Sequence, residues 1–305
     1  MQVVILERNK LVGRKVARLF MATGASATTV EDPVEVAAVL DGADLLCADT
    51  FDGDLVAEQV RQRPGLRGVL WTAEPLRRSL RHMIENRNID HVLGRRDFET
   101  PPRAWELTML ARRLQSASVP PLAAYLDWGF SSADIAVRST ADRDAAATQI
   151  QDFVTRLHVP NRVAEMFSEL GHELIMNAMY DAPIDAFGKP KYAADRKASI
   201  VLADHERPIL RIATDGTRLA LQIRDPFGRL ERRHVFDGLA RGLGGEMDTS
   251  HGGAGLGMMV CHNASTAMFF DVAANRHTEV TALFELDMNL REFRTQAKSL
   301  HFWSH

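Results

Sequence analysis

Along the first 116 or so residues, short apolar runs alternate with stretches whose apolar residues recur at three- and four-residue steps. VVIL (Val3–Leu6) leads into a helical pattern from Leu11 to Thr23, and ADLLCAD (Ala43–Asp49) leads into Leu55–Arg63. RGVLWTA (Arg67–Ala73) leads into Leu76–Asn86, and IDHVLG (Ile89–Gly94) into Arg103–Leu114. A continuous apolar run suits a strand buried on both faces, and the helical stretches between runs supply the covering layers. The pattern predicts an α/β unit: a doubly wound parallel sheet with helices on both faces.

The pattern then changes. SASVPPLAAYLDWGFSSAD (Ser116–Asp134) mixes Ser, Pro and Gly with a few aromatics and reads as a domain edge, with residues 117–132 as the linker. Beyond it a strand, IAVRS (Ile135–Ser139), precedes two long helical patterns, Asp142–Leu157 and Asn161–Met179. PILRIA and RLALQIR are joined by TDGT (Thr214–Thr217), and Asp-Gly between alternating runs predicts a hairpin. EVTALFEL (Glu279–Leu286) is the last strand expected. Helices grouped together and strands grouped together predict a layered α+β domain over 133–290, with 291–305 as a tail.

Composition narrows the classes. At 305 residues, 46% hydrophobic and 25% charged, the chain suits two folded domains and has no disordered character. A net charge of −3 gives no drive toward nucleic acid or an anionic membrane. The opening MQVVILERN is too short an apolar run for a signal peptide or a span. Cys47 and Cys261 lie far apart, without metal-ligand or CxxC spacing, so a reduced, cytoplasmic setting is expected.

The candidate chemistry lies mostly in the second half. On the helix from Asn161, the residues Val163, Met166, Phe167, Leu170, Leu174 and Ala178 form an apolar stripe, while Glu169, Glu173 and Asn177 step by four on a neighbouring face. An Asn oxygen is a hard ligand for Mg²⁺ shared with phosphate, and a Glu one turn earlier can take a proton from an attacking water or hydroxyl. A solvated polar face is the plainer reading. RDPFGRL (Arg224–Leu230) sets Asp225 at a strand end, either as a turn-former or as an acceptor for an adenine amino group. HGGAGLGMMV (His251–Val260) opens an apolar helix with Gly252, Gly253, Gly255 and Gly257, which suits a flexible turn or a phosphate held on helix-end amides.

Together, in this order, the three segments resemble the GHKL superfamily, the histidine-kinase-like ATPases of the Bergerat fold. HELIMNAMYDA (His172–Ala182) looks like the N box, Asp225 with Gly228 like the first glycine box, and GGAGLG, including Leu256, like the second. The resemblance implies a C-terminal α+β ATP-binding sandwich, with Glu173 as base and Asn177 holding Mg²⁺. It implies Asp225, Gly228, Gly252, Gly253, Gly255, Leu256 and Gly257 around ATP, and Arg229–His251 as a lid. The element order looks most like anti-sigma-factor serine kinases, which implies a serine/threonine kinase or partner switch. The partner expected is a regulatory protein, an anti-sigma antagonist or a sigma-like factor, and such ATPases often pair as homodimers. One departure is plain: the first box reads Asp-Pro-Phe-Gly rather than Asp-x-Gly-x-Gly. A non-catalytic ATP-binding or nucleotide-free scaffold, and an atypical histidine kinase with His158 as the nearest acceptor, are the alternatives.

The first half resembles a response-regulator receiver domain of two-component systems. Asp49 matches the phosphoacceptor, Thr72 the switch hydroxyl, and Arg95 stands where the family has lysine. Glu7 is followed by Arg8 and Asn9, so the acidic pair is half present and a degenerate receiver, used for docking or dimerisation, is expected. In the tail REFRTQAKSLHFWSH, Leu300, Phe302 and Trp303 suit either a partner-binding segment or packing against the domains.

Overall fold

The computed structural model describes residues 1–116, 118–244 and 254–305. The chain divides into two compact units, residues 1–119 with 291–301 and residues 120–290 with 302–305.

In the first unit, β1 (Gln2–Leu6) leads to α1 (Lys10–Met21), and β2 (Ser26–Val30) to the short α2 (Val36–Val39). Then come β3 (Leu45–Asp49), α3 (Gly53–Gln62), β4 (Arg67–Thr72), α4 (Arg77–Glu85), β5 (Ile89–Gly94) and α5 (Ala104–Gln115). The five strands are parallel in the order β2-β1-β3-β4-β5. The expected doubly wound sheet is therefore present, with the strand order of the flavodoxin and receiver kind. Every residue of β3 is buried, as its unbroken apolar run requires. β2 is not among the strands the pattern predicts: SATTV is an edge strand with one buried residue, so no apolar period marks it.

The second unit runs β6 (Ser131–Ala136), α6 (Thr140–Thr155), α7 (Asn161–Met176), β7 (Ile209–Thr214) and β8 (Arg218–Asp225). It continues with α8 (Arg232–Gly244), α9 (Ala254–Asn263), β9 (Ala267–Ala273) and β10 (His277–Glu285). Its strands are antiparallel in the order β9-β10-β8-β7-β6. Ala146, Ile150 and Val154 of α6 and Val163, Phe167, Leu170 and Leu174 of α7 are buried, with the Phe167 ring edge-on to Phe284 at 5.9 Å. The β7–β8 turn forms where TDGT predicts it. Asp215 accepts the amides of Thr217 (2.8 Å) and Arg218 (2.6 Å), and Gly216 takes φ +87°.

Several boundaries differ from the sequence expectation. β6 begins at Ser131 rather than Ile135, inside the segment read as linker, because an edge strand bonded only to β7 tolerates the polar SSAD. α7 ends at Met176 rather than Met179 and opens into a π turn over Asn177–Asp181, with the Ala182 amide donating to the Asn177 carbonyl at 3.0 Å. Such turns recur at functional sites. β9, fully buried, is likewise absent from the strands expected.

The tail is built into the fold. After α10 (Leu290–Thr295), β11 (Ser299–Ser304) begins in the first unit, with Leu300 and His301 antiparallel to Val92 and His91 of β5. Its end lies in the second unit, with Phe302 stacked on Phe270 at 6.4 Å. Among the described residues no helix is long and apolar enough to cross a membrane.

Candidate functional site

Two places bring the candidate residues together, one in each unit. In the first, β1 and β3 lie side by side at the switch point of the sheet, where such folds hold ligands beyond the carboxyl ends of the strands. Glu7 follows β1, Asp49 ends β3, Thr72 ends β4 and Arg95 follows β5; all four are buried. Arg95 Nη1 donates to Glu7 Oε2 at 3.0 Å and Nη2 to Asp49 Oδ2 at 2.7 Å. The planar fork thus spans both carboxylates, which an ammonium group cannot do in this way. Burial pushes the Asp49 carboxyl up, and the Phe51 amide (2.8 Å) and Arg95 pull it back only in part.

The neighbouring groups are spent as well. Asp52 is paired to Arg8, with Nη2 to Oδ1 at 2.8 Å. Asn9, where a second acid would be expected, caps α1 by accepting the amides of Leu11 (3.0 Å) and Val12 (3.3 Å). The Thr72 hydroxyl accepts the Glu74 amide at 2.9 Å. The pocket is closed by its own cations.

In the second unit, α7 with its π turn, the ends of β8 and β10 and the start of α8 surround a cavity of about 590 Å³. Its apolar walls include Ile223, Val280, Phe270 and Met258, and its polar groups include Asn177, Asp181, Asp225 and Thr278. Arg229 and Arg241 add cationic groups along the α8 side, with His234 and the acidic Glu231 beside them. That size, with few polar groups among apolar ones, is typical of a small-molecule site.

Asp225 is held differently from Asp49. Its Oδ1 accepts the amides of Phe227 at 2.8 Å and Gly228 at 3.3 Å, closing a turn at the end of β8. Burial is the larger influence and pushes the carboxyl above its usual range, with those amides drawing it down. Thr278 stands opposite it in the β8–β10 register, and its hydroxyl lies beside the carboxyl without a well-aligned hydrogen bond. Gly228 adopts φ +67°, and a Cβ there would run into the Ala273 carbonyl oxygen. The turn that presents Asp225 therefore requires glycine at this position.

The other candidates are only partly gathered. Asn177, Asp225 and Gly228 line the one cavity. Glu173 does not; with Ser168, Glu169, His172 and Val260 it lines a second cavity of about 340 Å³. Gly257 of α9 packs against Glu173, so that a Cβ at 257 would collide with its carboxylate. Leu256 is half exposed, and Gly255 falls in the first turn of α9. Gly252 and Gly253 lie outside the described residues, as does the end of the expected lid, whose residues 232–244 form α8. Glu169 stands at the surface beside Arg162 (3.8 Å).

Sequence reasoning missed Arg196. It lies in the long connection before β7, donates through Nη2 to Asn177 Oδ1 at 3.0 Å, and is paired to Asp181. Nothing local marks it, because its partners lie on the preceding helix end. Among the described residues no group of three or more His, Cys, Asp and Glu side chains is placed to share a metal ion.

No family model matches the chain, and no curated protein does. Among solved structures, its N-terminal part is similar to the receiver domain of Francisella response regulator 1452, at 14% identity over 38% of this chain and 97% of that one, with a TM-score of 0.33. A putative pilus assembly protein from Burkholderia thailandensis shares 18% identity over 38% of this chain and 98% of its own, with a TM-score of 0.32. An orphan response regulator of H. pylori shares 14% identity over 38% and 94%, with a TM-score of 0.30.

Proposed function

We propose that the second unit binds ATP as a histidine-kinase-like ATPase module, and that the chain is a bacterial signal-transduction protein acting on a regulatory protein partner. One observation carries the reading. Asn177, Asp225 and Gly228, drawn from segments far apart in sequence, meet on one cavity large enough for a nucleotide. The buried Asp225 carboxyl sits among neutral donors against apolar walls, a setting that suits the flat, hydrogen-bonding edge of a purine. The first unit, with its acidic pocket closed by Arg95, serves as a docking or dimerising surface rather than as a phosphoacceptor at Asp49.

Calorimetric titration of the full chain with ATP tests the reading. Binding is expected, and Asp225→Ala is expected to weaken it by about tenfold or more, the cost of leaving a purine donor unpaired. Wild-type affinity retained in the variant overturns the assignment of Asp225.

A second reading has its own support. Glu173, the base implied by the resemblance, lines a different cavity from Asn177 and Asp225. That favours a module that binds nucleotide and sequesters its partner over a serine/threonine kinase. Incubation with labelled ATP and candidate partners separates them: binding without transfer supports the switch, and phosphate on a partner Ser or Thr supports the kinase.

A further inference from the structure

The π turn at the end of α7 sets Asn177 and Asp181 on the cavity wall. Arg196 reaches back to both. Its Nη2 donates to Asn177 Oδ1 at 3.0 Å and to Asp181 Oδ2, and its Nε donates to Asp181 Oδ1 at 3.2 Å. Of the five N–H donors of a guanidinium, the two on Nη1 have no partner among the described residues.

This arrangement does not fit the metal that the resemblance assigns to Asn177. A Mg²⁺ ion bound to that carboxamide oxygen at about 2.1 Å would lie within about 5 Å of the Arg196 nitrogen that already donates to it. A dication and a guanidinium so close repel strongly in a half-buried setting. Asp181 offsets the guanidinium but is engaged by it, so a Mg²⁺ ion at Asn177 would have to displace Arg196 from the oxygens it already holds.

We infer that Arg196 takes the place of a divalent cation at this end of the cavity. It clamps the π turn through Asn177 and Asp181 and cancels the Asp181 charge that would repel a polyphosphate. Arg196 does not itself line the cavity, and its Nη1 meets a phosphate oxygen where the polyphosphate extends past these two wall residues. Guanidinium–phosphate contacts of this kind are strong and directional. The nucleotide is therefore bound without Mg²⁺. The inference rests on the nucleotide reading above and narrows it.

The test is ATP affinity of the full chain, measured by calorimetry in EDTA and in millimolar Mg²⁺, for wild type, Arg196→Ala and Arg196→Lys. Thermal melting establishes that each variant is folded. Wild type is expected to bind ATP equally well in both buffers, within about twofold, and Arg196→Ala to lose about tenfold in EDTA. Part of that loss should return with Mg²⁺ in Arg196→Ala, since the Asn177 and Asp181 oxygens are then open to a hard cation. Arg196→Lys should fall between the two, because a point charge cannot hold both partners and a phosphate together. A wild-type affinity that collapses in EDTA overturns the inference while leaving the nucleotide reading intact, and so does an Arg196→Ala affinity equal to wild type in EDTA. No binding in either buffer removes the nucleotide reading and the inference with it.

Discussion

Asp49 and Asp225 are both strand-end aspartates, both buried, and both shifted upward by that burial, yet they stand in opposite situations. Asp49 shares a buried guanidinium with Glu7, so it has an internal counter-charge that offsets its burial in part. Asp225 has amide partners, and its carboxyl opens on a cavity. A carboxylate answered by an internal cation is a structural element. One answered only by neutral donors has lost water without gaining a counter-charge, so it holds its proton to higher pH. The position of a residue in a motif does not distinguish the two cases; the company of its side chain does.

The largest way to break this comparison is Arg95→Ala. Two buried carboxylates would lose their common partner, and breaking such a pair costs about 3–5 kcal/mol. Chemical denaturation followed in the first unit should register a loss of that order. A change below about 1 kcal/mol, the scale of an exposed pair, would mean that Arg95 does not close the pocket. On the other side of the comparison, Gly228→Ala acts on the turn that presents Asp225. The added Cβ meets the Ala273 carbonyl at a positive φ, and strain of this kind is worth about 1–3 kcal/mol. On the nucleotide reading proposed above, loss of ATP affinity accompanies that destabilisation, and a variant as stable as wild type would show that the turn has room.

Much of this fold was legible because the signals were local. The unbroken runs in β1, β3, β4 and β5 and the Asp-Gly of the β7–β8 hairpin each lie within a few residues of the feature they encode. β2 was not legible, since an exposed edge strand such as SATTV has neither alternation nor apolar mass. β11 hid in a tail whose apolar residues suit a binding segment as well as a strand. Its partner β5 lies far back in the chain: the Gly94 amide donates to Ser299 Oγ across a separation of 205 residues. For the sites, residue types were visible and pairings were not. Arg95 stands out in sequence as a replacement for lysine, but only three dimensions reveal that it spans Glu7 and Asp49. Arg196 sits in a polar loop 19 residues beyond Asn177, with no periodicity to single it out.

The smallest effect sharpens the comparison most, because it uses the same substitution on both sides. Asp49→Asn removes a negative partner from Arg95 and is expected to destabilise the first unit. Asp225→Asn keeps the oxygen that accepts from Phe227 and Gly228 and removes only a charge that burial opposes, so its stability change at neutral pH should stay within about 1 kcal/mol, neutral or favourable. The sign with pH follows from the upward shift. Between the ordinary carboxyl value of 3.8 and the raised folded value, the folded state holds a proton at Asp225 that the unfolded state has released. Stability contributed by this group is therefore full below 3.8 and is lost as pH rises through the folded value. Asp225→Asn erases that loss, so its advantage over wild type should grow as pH is raised through this window and then level off. Urea denaturation of both proteins across acidic pH measures it. A wild type that gains stability relative to Asp225→Asn as pH rises would mean that burial does not govern this carboxyl, and would overturn the upward shift assigned to it.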